Sequence, residues 1–215
     1  MIAMEANISR PRRTSVRPAL EIRFQFVEGM EETFVQSDPE IAQKILMGIS
    51  PPLLFNHYRI VVADDYSKSV FVCSQLNRVD FFHEAHGLSH IPEDQADLVE
   101  MTEADFHKCV RLDDPDRLQK RWQPRQVGDL LVSYLHLRMR GGNHVYLMYE
   151  MMVKLPAESQ SYMHRLLSKG TLGIRLADGG EGFLNLANLI GYSVYPGVAE
   201  VPADAWMAEP KSLHE

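Results

Sequence analysis

Cysteine is scarce: Cys73 and Cys109 are the only two in 215 residues, which excludes a disulfide framework and a thiolate metal cluster. Long apolar runs are absent as well. LLVSYLHLRM and VYLMYEMMV are short and interrupted, well under the roughly 18 residues that a membrane-spanning helix needs. The chain does not open on a secretory leader pattern, so a cytoplasmic protein with no membrane partner is expected. Positive charge is in deficit, with 22 Lys and Arg against 29 Asp and Glu and a net charge of -7. That excludes a broad electropositive surface for duplex nucleic acid or anionic lipid. Catalytic signatures are missing too. There is no G-x-S-x-G elbow and no P-loop; Asp178-Gly179-Gly180-Glu181-Gly182 is glycine-rich but carries two acids and leads into a strand, so it reads as a hairpin turn. No catalytic residue is expected and no motif calls for a cofactor.

What is present has ordinary globular patterning. Residues 1–18 hold Arg10, Arg12, Arg13 and Arg17 beside two prolines without apolar periodicity, and read as a flexible basic arm. From Leu20 to Phe26 every second residue is apolar, the signature of a strand with one buried face. Glu28-Gly29 offers a turn and Glu32 to Gln36 the returning strand. Ser37-Asp38-Pro39-Glu40 then supplies a cap, a first-turn proline and an acid for a helix running to Met47. Its stripe is Ile41, Ala42, Ile45 and Leu46, and Gly48 stops it. Tyr58 to Ala63 and Val70 to Cys73 form the next hairpin, and Leu76, Val79 and Phe81 mark a further strand.

A second segment repeats this order. Val145 to Val153 is a strand, Pro156 opens a helix with Tyr162, Met163, Leu166 and Leu167 as its stripe, and Leu172 to Ala177 and Phe183 to Leu186 form a hairpin. IVVADDYSKSVFVCSQLNRVDF aligns with IRLADGGEGFLNLANLIGYSV: Ala63-Asp64 matches Ala177-Asp178, Phe71 matches Phe183 and Leu76 matches Leu189. The expected architecture is α+β, with two similar strand-helix-hairpin units, 19–82 and 127–196, packed through mainly antiparallel sheets. Between them, residues 83–126 read as a charged helical insertion, with helices over Pro92 to Leu98, Thr102 to Val110 and Asp113 to Lys120. Gln126 to Arg140 reads as one strand, turning at Gly141-Gly142 into the next. Residues 197–215 form an extended tail containing Trp206.

Two clusters carry possible chemistry. FFHEAHGLSH gathers His83, Glu84, His86 and His90, donors suited to zinc, iron or nickel, although the spacing does not fit the two-histidine helical motif of metalloproteases. Arg138, Arg140, His144 and Tyr146 surround one hairpin tip and, with Arg12 and Arg13 of the arm, form a mixture of guanidinium and aromatic groups that single-strand binders use. Cys73, in a strand pattern, reads as a small buried apolar residue. The leading functional expectation is a non-catalytic, regulatory or protein-interaction role through a protein partner or self-association as a homodimer. A nucleic-acid-binding regulator using the arginine hairpin and a small metal-dependent enzyme at the histidines are the alternatives.

Overall fold

The computed structural model describes residues 18–57, 59–64, 66–83, 89–95, 98–110, 125–127, 130–152, 165–195 and Trp206. The arm with Arg12 and Arg13, the Asp113 to Lys120 helix, the start of the Pro156 helix, and Glu84 and His86 lie outside them. Arg165 to Leu167 are helical and Trp206 is fully exposed.

The alternating start of the chain forms β1 (Leu20–Phe26) and β2 (Glu31–Gln36), joined through Gly29 at φ 83°. Helix α1 (Pro39–Met47) begins where the cap residues sit, with the Asp38 carboxylate accepting hydrogen bonds from the Glu40 and Ile41 amides at 2.8 and 3.2 Å. Only half of its expected stripe is covered. Ala42 and Leu46 are buried, whereas Ile41 and Ile45 stay partly exposed, because the helix packs by one narrow edge. β3 (Arg59–Ala63) and β4 (Lys68–Val72) form a separate two-stranded sheet, and a 3-10 turn over Cys73–Gln75 leads into β5 (Leu76–His83).

The segment 83–126 enters the main sheet. Pro92 to Leu98 is not a helix: Glu93–Gln95 make one 3-10 turn and Leu98 opens β6 (Leu98–Met101). The cause is tertiary, since Leu98 is fully buried and pairs with Tyr149, so long-range strand contacts override the local helix signal. Helix α2 (Glu103–Val110) follows, with the Thr102 hydroxyl accepting from the Asp105 amide as a cap. Gln126 to Arg140 is not one strand either. β7 (Arg125–Val127) pairs antiparallel with β8 (Leu130–Met139), Val127 opposite Leu130. After the Gly141-Gly142 turn come β9 (His144–Met152), then β10 (Thr171–Arg175), β11 (Glu181–Asn185), another 3-10 turn and β12 (Leu189–Tyr195).

Ten described strands make one mixed sheet in the order β12-β8-β9-β6-β10-β11-β5-β1-β2, with β7 beside β8. Every neighbouring pair of described strands in this sheet is antiparallel except β6 with β10. This is an α+β architecture. β1 lies between β2 and β5, and β8 lies between β9 and β12, so the two halves share an order of elements while β5 and β11 join them.

Pairing registers assign the faces, because directly opposed residues point the same way. One face carries Leu98, Leu135, Leu137, Leu147, Leu172, Ile174 and Leu184. The sheet curls around it. Tip residues of the β8–β9 hairpin touch the distant β1 and β5 ends: the Asn77 amide donates to the Arg140 carbonyl at 2.8 Å, and Gly141, at φ 79°, lies so close to the Val27 carbonyl that a Cβ would sit 1.5 Å from its oxygen. Glycine is required there twice over, by φ and by space. Within the same core Arg78 pairs with buried Asp80 and with Glu100, and Gly182 leaves room for the Asp80 carboxylate. Burial pushes Asp80 up to about 6 against the pull of Arg78.

The opposite face bears two further cores. Phe24, Val79, Phe81 and Phe183 pack with Leu46 of α1, Phe71 of β4 and Ile91. Phe106 and Val110 of α2 cover Val132, Tyr134 and Tyr146.

Candidate metal centre

His83 is the last residue of β5, opposite Leu20, and Glu181 is the first of β11, opposite Phe81. Alternation therefore puts both on the Phe81–Phe183 face of the sheet. The third member, His90, arrives on the segment 89–95, which is fastened at several points. Ile91 is buried in the Phe81–Phe183 core. The Gln95 side-chain oxygen accepts the Gly173 amide at 2.6 Å, completing an edge of β10 that has no strand partner at that position among the described residues. At the other end the His90 amide donates to the Glu181 carboxylate, 3.1 and 3.0 Å from its two oxygens.

One ligand atom from each of His83, His90 and Glu181 lies within 4.8 Å of the others. His90 Nδ1 is 3.1 Å from Glu181 Oε2, and the His83 and His90 rings stand edge to face with centroids 6.3 Å apart. Ligands about 2.1 Å from a tetrahedral ion stand about 3.4 Å apart, so the group needs at most about 1.4 Å of contraction. The side chains of His90 and Glu181 are only 12% and 11% exposed, which keeps competing water scarce. Burial, the largest influence, holds the His83 imidazole below its ordinary pKa; Glu181 opposes and His90 adds to it. His83 is thus neutral at physiological pH, the form with a free lone pair. Its Nδ1 is buried with no hydrogen-bond partner among the described residues. Two imidazoles and a carboxylate suit zinc, iron or nickel and leave coordination positions open.

Of the residues expected at a metal site, His83 and His90 come together, and Glu84 and His86 lie outside the described residues. By its sequence context Glu181 is an acid of a hairpin turn. Strand alternation in Glu181, Phe183 and Asn185 puts the carboxylate on the same face as Phe183, in a strand that is buried throughout. Comparison with protein-family models, curated proteins and solved structures finds no match.

The arginine hairpin is built differently from its sequence reading. Arg138 and Arg140 are exposed, but Tyr146 is 7% exposed and offers no free ring for a base. Its hydroxyl donates to Glu103 Oε1 at 2.9 Å, and its ring lies between Phe106, at 4.8 Å, and His136, at 4.7 Å. Burial and then the Glu103 hydrogen bond push the phenol up to about 12. The cause is helix α2, whose Phe106 covers this part of β8 and β9. Cys73 is buried, and burial raises its thiol pKa, in keeping with a packing role. Among the described residues no helix is long and apolar enough to cross a membrane.

Proposed function

We propose that this protein is a non-catalytic regulatory protein that takes up one divalent transition-metal ion at His83, His90 and Glu181. The observation that carries the reading is the convergence of three ligand atoms from β5, the 89–95 segment and β11 within 4.8 Å. Donors separated by up to 98 positions in the chain meet there beside a neutral, partly buried imidazole. An ion would bind the 89–95 segment to the strand pair that joins the two halves, and Glu181 would keep one oxygen for the His90 amide while the other coordinates. Such a clasp adds its binding free energy to the folded state. Action through a protein partner or as a homodimer in the cytoplasm, and descent of the two halves from an internal duplication, belong to the same proposal. The shared element order supports the last of these.

The test is calorimetric titration of the metal-free protein with zinc, alongside His83→Ala and His90→Ala. One saturable equivalent is expected in the parent, with at least about a hundredfold weaker binding in each variant. Absence of saturable binding, or equal affinity in the variants, overturns the reading.

A further inference from the structure

The cluster beneath α2 has a feature that packing alone does not account for. His136 on β8 stands opposite Tyr146 and Ser193. Its ring stacks on Tyr146 at 4.7 Å and 19°, meets the His144 ring at 4.8 Å and lies 6.1 Å from Phe106. Its Nε2 is buried and has no hydrogen-bond partner among the described residues. Phe106, 1% exposed, and Val110 are the two buried anchors of the eight-residue α2. An unsatisfied imidazole nitrogen is thus held at the base of a short helix with a small footprint.

We propose that His136 is an acid-operated release for α2: the helix docks over the neutral imidazole and lifts when His136 takes a proton. Titratable groups face the ring from every packed element. α2 contributes Glu103 and His107, β8 contributes Arg138 and Tyr134, β9 contributes His144 and Tyr146, and β12 contributes Tyr195 through its contact with Phe106. Glu103 is the only acid among them. Its side chain is exposed and already serves Tyr146 and His107, so it gives a proton on His136 little support. Burial first, then His144, Arg138 and His107, hold the His136 pKa below its ordinary value, with Glu103 opposing.

When α2 is undocked, the hydrated imidazole binds its proton with an ordinary pKa of about 6.5. The docked state binds it less well, so docking is fully supported above that pH and weakens as pH falls through it. A charged ring needs water at Nε2, which is buried in the docked arrangement, and lifting α2 with Phe106 is the proposed way for water to reach it. Release uncovers the ring face of Tyr134, Tyr146 and Tyr195.

Hydrogen exchange read by mass spectrometry on the full metal-free chain tests this at about pH 7.5 and about pH 5.5, corrected for intrinsic exchange chemistry. Protection of the Phe106 to Val110 amides is expected to fall by about fivefold to tenfold at the lower pH, tenfold being the limit for one proton with an undocked pKa of about 6.5, while β5 and β11 amides hold theirs. His136→Phe, which fills the space with an uncharged ring, is expected to limit that fall to about twofold or less. His136→Gln serves as the second neutral variant should the first fail to fold. Unchanged α2 protection in the parent, or an equal fall in a folded neutral variant, overturns the proposal. The outcome is independent of the metal reading, since none of the groups involved belongs to the His83 cluster.

Discussion

Two groups of histidines occupy the same face of one sheet and are organised by different forces. At His83, His90 and Glu181 the donor atoms point toward a common volume, and the contacts between members are between heteroatoms. At His136, His144 and Tyr146 the rings lie face to face or edge to face under Phe106, with the Tyr146 hydroxyl 3.4 Å from His144 Nδ1. The first arrangement presents lone pairs to an ion; the second fills space beneath a helix. Counting histidines would rank the two alike, whereas the Glu181 carboxylate among the donors of the first and the Tyr146 ring stacked on His136 in the second separate them. The difference also predicts opposite responses. An ion should stabilise the first group, and protons should destabilise the second.

The largest effect is expected from removing the lid of the second group. Phe106→Ala should lower stability by about 3–5 kcal/mol in urea denaturation, with zinc affinity within about twofold of the parent; a parallel loss of metal binding would show that the clusters are coupled. Glu181→Gln strikes the first group. It should weaken zinc binding by about a hundredfold or more by calorimetry, with the acid response of α2 unaltered; near-normal zinc binding would mean that Glu181 serves only to hold the His90 segment. The smallest effect belongs to Tyr146→Phe, which removes a hydrogen bond to an exposed carboxylate that water can replace. It should cost about 1 kcal/mol and leave zinc binding as it is. A loss several times larger would reveal that the Tyr146–Glu103 contact, rather than Phe106, fixes α2.

Much of the chain between Leu20 and Met47 was legible in the sequence because its signals are local. Alternation in Leu20, Ile22, Phe24 and Phe26 matches β1, and Asp38-Pro39 matches the start of α1 with its observed amide hydrogen bonds. Reading failed where distant partners decide. Leu98 was drawn into a predicted helix, yet it is a strand residue because β9 pairs with it. Gln126 to Arg140 carried one apolar pattern across a reversal of direction. Tyr146 sat beside two exposed arginines and looked like part of their surface, but a helix some 40 positions earlier buries it. Two of the three members of the candidate metal centre are visible in the sequence for the same reason: His83 and His90 are near each other in the chain, and Glu181 is not.

By itself the sequence determined the elements: strand period, helix caps, glycine turns and the pairs of apolar faces that had to be covered. These depend on residues a few positions apart, whose preferences act whatever surrounds them. Only the tertiary structure decided which polar groups would meet. The registers of β5 against β11 and of β8 against β9 are set by the burial of whole faces; the first puts Glu181 on the face of His83, where the docked 89–95 segment adds His90, and the second sets His136 opposite Tyr146, where α2 covers them with Phe106.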